Sequence, residues 1–189
     1  MTEVAERKAV DLAGKYLTFK LADEVYGLEI LKVREIIGLL PITSLPRTPV
    51  FVRGVINLRG KVIPVIDLRQ KFELDVTDDT DQTCTIVVDV QGSTGGTIQV
   101  GIIVDSVSEV LDILGEEIED APAFGSSVDT AFILGMAKAK GSVKILLNIE
   151  KVLSPSDLGG INLRQSDRRQ KAEAADEERR QGDRRGDDD

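Results

Sequence analysis

The sequence contains an internal repeat, and this repeat constrains the fold more than any single motif does. Residues 54–68 align with residues 135–149 without a gap. Each copy begins with a glycine, has a second glycine six residues later, and continues as an apolar run that ends in Asp67 or Asn148. This order is typical of a strand, a tight turn, a second strand and an Asx side chain that caps a helical turn. Two related β-units are therefore predicted.

A second, shorter repeat supports this interpretation. Residues 27–36 resemble residues 101–110, so that Glu35 corresponds to Glu109. Runs rich in Val, Ile and Leu, separated by Gly, Pro or Asp, are predicted to be short strands. The ten predicted strands are residues 16–21, 25–30, 39–44, 54–58, 62–67, 83–90, 97–104, 107–113, 132–139 and 143–148.

These strands favour an all-β fold with a few short helices. Closure of a small sheet removes its exposed edge hydrogen-bonding groups, so two five-stranded β-barrels packed side by side are expected. The boundary between them is placed near residues 75–82, and an exchange of strands between the barrels is left open. Pro64 lacks an N–H group and is expected at an edge or a bulge, so the first hairpin is expected to leave an edge strand facing outward.

Two end segments differ in composition from this region, which spans residues 15–153. Residues 1–14 are expected to be flexible, because charged residues interrupt the apolar run that a secretion signal needs. Residues 154–189 are expected to be a charged, mostly disordered tail, since from Arg164 onward there are eight basic and nine acidic residues. No apolar run approaches the ~18 residues of a membrane span, so a cytoplasmic location without membrane insertion is expected.

The composition argues against most catalytic and metal-binding chemistry. The chain has no histidine and one cysteine, so it lacks the commonest general base, the commonest transition-metal ligand and any internal disulfide. The single Cys84 lies in an apolar run and is expected to be a core side chain. The formal net charge of −9 and the absence of tryptophan disfavour nucleic-acid binding. No cofactor and no metal ion are expected.

An enzyme would have to use carboxylates, with Glu35 and Asp67 as an acid and base pair. Asp67, however, already has a local role as a helix cap. Its counterpart Asn148 keeps that capping ability without the acid–base chemistry of a carboxylate. The carboxylate enzyme is therefore the disfavoured alternative, and a protein-binding module is favoured.

Several segments carry a specific resemblance to a known family. They are residues 26–37 (YGLEILKVREII), 48–49 (TP), 51–60 (FVRGVINLRG), 62–69 (VIPVIDLR), 101–110 (GIIVDSVSEV) and 145–153 (ILLNIEKVL). Through these segments, and in the same order, residues 15–153 resemble the CheW family of chemotaxis coupling proteins.

The resemblance implies two SH3-like five-stranded barrels and a non-catalytic adaptor that links chemoreceptors to the histidine kinase CheA. It implies that an apolar groove between the barrels receives the amphipathic helices of the receptor tip. The receptor contacts implied by the resemblance are Val33, Glu35, Ile36, Arg59 and Val110. From the residues alone, the three apolar members of this set are equally compatible with barrel core, and a solvated hairpin residue is the favoured interpretation of Arg59.

The second partner implied by the resemblance is the CheW-like regulatory domain of CheA, docked barrel against barrel. Cys84 and Val88, with the loop at residues 92–96, are the candidate kinase contacts. Alternating contacts of this kind can close into rings, so assembly into receptor arrays at the inner membrane is expected. A CheW-like adaptor in another receptor–kinase pathway, such as surface motility, is the alternative that the sequence leaves open.

Overall fold

The computed structural model describes residues 11–92, 95–122 and 130–158. The strands in these residues are β1 (Gly14–Leu21), β2 (Glu24–Glu29), β3 (Val33–Gly38), β4 (Val52–Leu58), β5 (Lys61–Asp67), β6 (Cys84–Gln91), β7 (Thr97–Val104), β8 (Ser106–Ile113), β9 (Ile118–Glu119), β10 (Ile133–Ala139) and β11 (Ser142–Leu147). The short helices are α1 (Leu68–Lys71), α2 (Ile149–Val152) and α3 (Pro155–Leu158). No helix in the described part of the chain is long and apolar enough to cross a membrane.

The strands form two sheets. The terminal sheet, named for its strands from both ends of the described chain, has the order β8-β1-β2-β11-β10-β9. The middle sheet is built by residues 33–104 alone, in the order β3-β6-β7-β5-β4. Residues 75–82, where the boundary between the barrels is expected, connect two strands of the middle sheet, since β5 precedes them and β6 follows them. The terminal sheet combines β1 and β2 with strands from the C-terminal half of the chain. The predicted all-β class is confirmed, and the two-residue β9 gives the terminal sheet a sixth strand.

The longer repeat forms the same structure twice, as β4–β5–α1 and as β10–β11–α2. Both hairpins turn through two residues with positive φ, Arg59–Gly60 in one and Lys140–Gly141 in the other. The type I′ turn requires two such residues, and its twist matches that of the flanking strands. Asp67 and Asn148 then cap the two helices by accepting backbone N–H hydrogen bonds. The predicted tight turns and both predicted caps are confirmed.

The two repeats meet as a parallel strand pair inside each sheet. β5 pairs with β7 through Val65 and Gly101, and β11 pairs with β2 through Leu146 and Gly27. A side chain at either glycine would be crowded at this approach. A Cβ on Gly101 would lie 3.3 Å from Cγ2 of Val65, and a Cβ on Gly27 would lie 2.9 Å from Cδ2 of Leu146. The two repeats in the sequence therefore reflect one strand pairing that is used twice.

The core has three layers, because the inner strands are buried on both faces. Along β5, Val65 packs in a cluster made by the middle sheet, whereas Ile66 packs in a cluster that both sheets share. Along β11, Leu146 packs in a cluster made by the terminal sheet, whereas Leu147 packs in the shared cluster. Strands that are buried on both faces are continuous apolar runs rather than alternating ones. The contact between the two sheets is therefore filled core.

The strand predicted at residues 39–44 is wrong. This segment contains Pro41 and contributes a single bridge, from Thr43 to Val55, while the preceding Val33–Gly38 forms β3. The shorter repeat contained the signal for β3, because it aligns residues 33–36 of this strand with residues 107–110 of β8.

The first hairpin leaves an edge strand facing outward, as predicted, but Pro64 is not on that strand. Pro64 lies in β5, which has β7 on one side and β4 on the other, and the outer strand of this hairpin is β4. The proline is accommodated because the ladder with β7 begins one residue later, at Val65.

A buried cluster of charged side chains lies where β5 ends and α1 begins. Arg69 is 1% exposed and donates from Nε and Nη2 to the two carboxylate oxygens of Asp67 at 2.9 and 2.8 Å. Arg53 donates to the same carboxylate at 2.9 Å, and Asp79 accepts a 2.9 Å hydrogen bond from Arg69. The hydrogen bonds to Asp67 and Asp79 raise the pKa of Arg69, and the hydrogen bond from Arg69 lowers the pKa of Asp79.

This cluster also connects the two sheets. Nη1 of Arg69 lies 3.2 Å from Asp105, at the junction of β7 and β8. The other carboxylate oxygen of Asp105 accepts a 2.7 Å hydrogen bond from the backbone N of Ala22, in the β1–β2 turn of the terminal sheet. Glu150 occupies the position of Arg69 in the second repeat and makes a comparable connection with the opposite charge, accepting a 2.9 Å hydrogen bond from Lys32.

Replacing Arg69 by alanine is expected to destabilise the fold far more than replacing Glu150, although the two residues are repeat equivalents. Arg69→Ala leaves the carboxylate of Asp67 buried without its main partner, which costs about 3–5 kcal/mol. Glu150→Ala breaks a pair whose side chains are 30% and 37% exposed, and such pairs contribute less than about 1 kcal/mol. Urea denaturation of both variants measures the difference, and equal losses would contradict it.

The core extends beyond residue 153 because α3 packs onto it. Leu158 is 6% exposed and belongs to the shared cluster. Asp157 holds the helix in place through two contacts. It accepts a 2.7 Å hydrogen bond from the hydroxyl of Ser154, and it forms an ion pair with Lys71 in α1 at 2.8 Å. The predictions for the two end segments lie, apart from residues 11–14 and 154–158, outside the described residues.

Ending the chain after residue 153 is expected to lower the free energy of unfolding by about 2 kcal/mol, because burying one leucine side chain contributes ~1.5–3 kcal/mol. Ending it after residue 158 is the matched control and should leave the stability unchanged. Chemical denaturation compares the two truncated chains with the full chain. If both truncated chains unfold at the same denaturant concentration, α3 does not stabilise the core.

Candidate functional site

Glu35 and Arg59 form an ion pair that joins the two edges of the middle sheet. Arg59 lies in the β4–β5 turn and donates from Nη1 and Nη2 to the two carboxylate oxygens of Glu35, at 2.8 and 2.7 Å. Glu35 lies on β3, and β3 and β4 are the two outer strands of this sheet. The sheet must curl for this contact to form, which is compatible with the expected barrel. This contact is named the first edge ion pair.

The turn holds Arg59 in a backbone conformation that side chains seldom adopt. Its φ is 52°, in the left-handed region, where type I′ turns usually have Asn, Asp or Gly. The side chain is 73% exposed, while that of Glu35 is 25% exposed. The turn does not require an arginine, so its presence indicates a role for the guanidinium group.

The electrostatics of this pair keep both groups charged. The hydrogen bonds from Arg59 lower the pKa of Glu35, and the charges of Arg59 and Arg34 act in the same direction. The same hydrogen bonds raise the pKa of Arg59. A bidentate contact between guanidinium and carboxylate fixes geometry as well as charge. The first edge ion pair therefore presents two oriented charges at the surface.

The apolar members of the predicted receptor set differ in exposure. Ile36, next to Glu35 on β3, is 45% exposed, and Val110 on β8 is 48% exposed. Val33 is partly buried and packs against the shared cluster. Val33 is therefore chiefly a packing residue, whereas Ile36 and Val110 offer apolar surface. The structure brings Glu35 and Arg59 together and places Val110 on the other sheet.

The structure places both predicted kinase contacts, Cys84 and Val88, on β6. Val88 is 0% exposed in the shared cluster, because it faces inward on β6, an inner strand. Cys84 begins the same strand and is half-buried against that cluster, where burial raises the pKa of its thiol. The expectation that Cys84 is a core side chain agrees with this position.

A second ion pair, which was not predicted from the sequence, joins a hairpin turn of the terminal sheet to an outer strand. Lys140 in the β10–β11 turn donates a hydrogen bond to Glu109 on β8, an outer strand of the terminal sheet. Lys140 is the equivalent of Arg59 in the longer repeat, and Glu109 is the equivalent of Glu35 in the shorter one. Once the contact between Glu35 and Arg59 is known, the two repeats taken together predict a contact between Glu109 and Lys140. This contact is named the second edge ion pair.

The carboxylates considered for catalysis have structural partners. Asp67 is 0% exposed, and its oxygens accept hydrogen bonds from Arg53 and Arg69. Glu35 is held by Arg59, which favours its ionised form. An acid and base pair needs two groups with pKa values that are moved apart and access to a substrate. In the described residues, no group of three or more metal-ligating side chains is assembled.

Comparison with known proteins gives a consistent result. Residues 15–156 match the CheW-like domain family. The chain is 40% identical to the chemotaxis protein CheW of Klebsiella aerogenes over 162 residues, which cover 86% of this chain and 95% of that protein. It is 30% identical to Protein FrzA of Myxococcus xanthus, with 74% and 84% covered. The crystal structure of the scaffolding protein TtCheW from Thermoanaerobacter tengcongensis has a TM-score of 0.66 and 36% identity, covering 77% of this chain and 96% of that one.

Replacing Arg59 by glutamine is expected to raise the pKa of Glu35 toward its ordinary value, because the hydrogen bonds from Arg59 are the largest cause that lowers it. The titration of the Glu35 side chain, followed by NMR in both proteins, measures this shift. Lys138→Gln is the control, since Lys138 pairs with Glu119 and should not affect Glu35. An unchanged titration of Glu35 in Arg59→Gln would mean that the ion pair does not form in solution.

Proposed function

The chain belongs to the CheW family of chemotaxis coupling proteins, and we propose that it joins chemoreceptors to the histidine kinase CheA without catalysing a reaction. It is a chemotaxis scaffold and adaptor. The observation that supports a receptor contact is exposed apolar surface next to a fixed ion pair on an outer strand. An amphipathic helix of the receptor tip fits such a surface, because it offers an apolar face with charges beside it.

The proposed receptor surface lies along the outer strands β3 and β8. Both strands begin at the shared cluster, against which Val33 and Val107 pack, and both continue to an exposed apolar residue, Ile36 or Val110. Burial of these two side chains supplies affinity at about 25 cal/mol per Å². The first edge ion pair supplies orientation and selectivity through charge complementarity with the receptor.

The kinase contact is proposed at the tip of the β6–β7 hairpin. Val88 is buried and Cys84 is half-buried, whereas the third candidate from the sequence, the loop at residues 92–96, has Gly95 and Gly96 exposed. The partner is the CheW-like regulatory domain of CheA, and repeated contacts of modest area give assembly in an array through multivalency.

The absence of catalysis in this proposal is supported by the side chains present. No histidine is available as a base, and the carboxylates of Glu35 and Asp67 serve ion pairs and a helix cap. The similarity to Protein FrzA is compatible with a second candidate, an adaptor of the same type in a receptor–kinase pathway other than chemotaxis.

Arg59→Glu is expected to weaken co-sedimentation with receptor and kinase by about tenfold, because it replaces an oriented positive charge with a negative one beside Glu35. The thermal midpoint should stay nearly unchanged, since the Arg59 side chain is 73% exposed. Lys138→Glu serves as the control, because it reverses a comparably exposed charge on another strand. A collapse of the thermal midpoint in Arg59→Glu would assign Arg59 a structural role instead.

A further inference from the structure

The second edge ion pair has the same placement in its sheet as the first, both for the cation and for the anion. Both cations occupy the first position of a type I′ turn, with φ of 52° at Arg59 and 51° at Lys140. Both anions lie on an outer strand, Glu35 on β3 and Glu109 on β8. Each pair therefore connects a hairpin turn on one side of a sheet to an outer strand on the other.

Each glutamate also lies at an irregularity in its outer strand. The register between β3 and β6 shifts between Val33 and Glu35, and the register between β8 and β1 shifts opposite the step from Leu17 to Phe19, at the level of Glu109. A bulge changes the direction of the side chains around it. At β8 the bulge is held by Thr18, whose hydroxyl donates to the carbonyl of Glu109 at 2.8 Å.

An exposed apolar residue follows each glutamate. Ile36 follows Glu35 and is 45% exposed, and Val110 follows Glu109 and is 48% exposed. The direction of each apolar side chain depends on how its outer strand is held. Since an outer strand has a hydrogen-bonded neighbour on one side only, a contact from the far edge of the sheet fixes it further.

We propose that Glu109 and Lys140 are positioning residues for the partner contact at Val110. Their ion pair holds β8 against the β10–β11 turn and keeps Val110 in the orientation in which it meets the partner helix. This inference rests on the proposed function, since it concerns the same receptor surface. It assigns the second edge ion pair a role in the part of that surface that lies on β8.

The hairpin itself offers a matched control. Lys138 pairs with Glu119, and their side chains are 60% and 62% exposed, close to the 59% and 47% of Lys140 and Glu109. Glu119 lies on β9, which is the strand adjacent to β10, so this pair does not reach the outer strand β8. Lys138→Glu therefore reverses an equal charge on the same hairpin without releasing β8.

The experiment measures binding of a soluble chemoreceptor tip fragment to the full chain by calorimetry. The variants are Lys140→Glu, Glu109→Lys, the double charge swap, Arg59→Glu and the control Lys138→Glu. Each single reversal at the second edge ion pair is expected to weaken binding about fivefold, and the double swap to restore it to within about twofold. Thermal midpoints should remain together, and backbone amides around Val110 should exchange hydrogen faster in the single variants only.

The outcomes separate this inference from the proposed function. If Arg59→Glu weakens binding while Lys140→Glu and Glu109→Lys do not, the positioning role is wrong and the proposed function stands. If the double swap fails to restore binding, the two residues do not act through their ion pair, and the inference is overturned. If the unaltered chain does not bind the fragment, the proposed receptor surface itself is wrong. The same holds if Arg59→Glu binds the fragment as tightly as the unaltered chain.

Discussion

The guanidinium group of Arg69 makes contacts on which the arrangement of the two sheets depends. It neutralises Asp67 at the start of α1, holds the loop through Asp79, and reaches Asp105 at the junction where the chain leaves the middle sheet. Asp105 in turn accepts a hydrogen bond from Ala22 in the terminal sheet. Charges buried at this depth are tolerated only when each is paired, and the pairing here requires four separate segments to be in place together. The cluster therefore connects the two sheets, and its charges are fully paired only when all four segments are in their native positions.

The molecule is a duplication in which equivalent positions have kept their geometry and changed their chemistry. The parallel strand pair, the type I′ turn and the Asx cap occur in both units, since each satisfies a backbone requirement. The side chains that connect the units have diverged: Arg69 is fully buried among carboxylates, whereas Glu150 is partly exposed and pairs with Lys32. Backbone requirements restrict residue choice more tightly than surface pairs do, because a surface pair contributes little to stability whichever sign it carries.

The candidate site follows from the same duplication. Two curled sheets that share a filled core have their outer strands and hairpin turns left for contact with partners. At each sheet an ion pair joins a hairpin turn to an outer strand, and an exposed apolar residue follows the glutamate of that pair. A surface of this kind binds by shape, apolar burial and charge complementarity, which is what an adaptor needs.

The sequence alone determined the all-β class, the repeated hairpins with their turns and caps, and the family, because these depend on local backbone chemistry and on residue order. It located most strands close to their observed positions but missed β3, whose charged residues hide a strand that is exposed on one face. Only the tertiary structure decided which strands share a sheet, since β2 near one end of the described chain pairs with β11 near the other, and sequence order does not record such pairing. It also decided that Val88 is core while Ile36 and Val110 are surface. All three are apolar residues in strands, and only their position in the folded sheets distinguishes them.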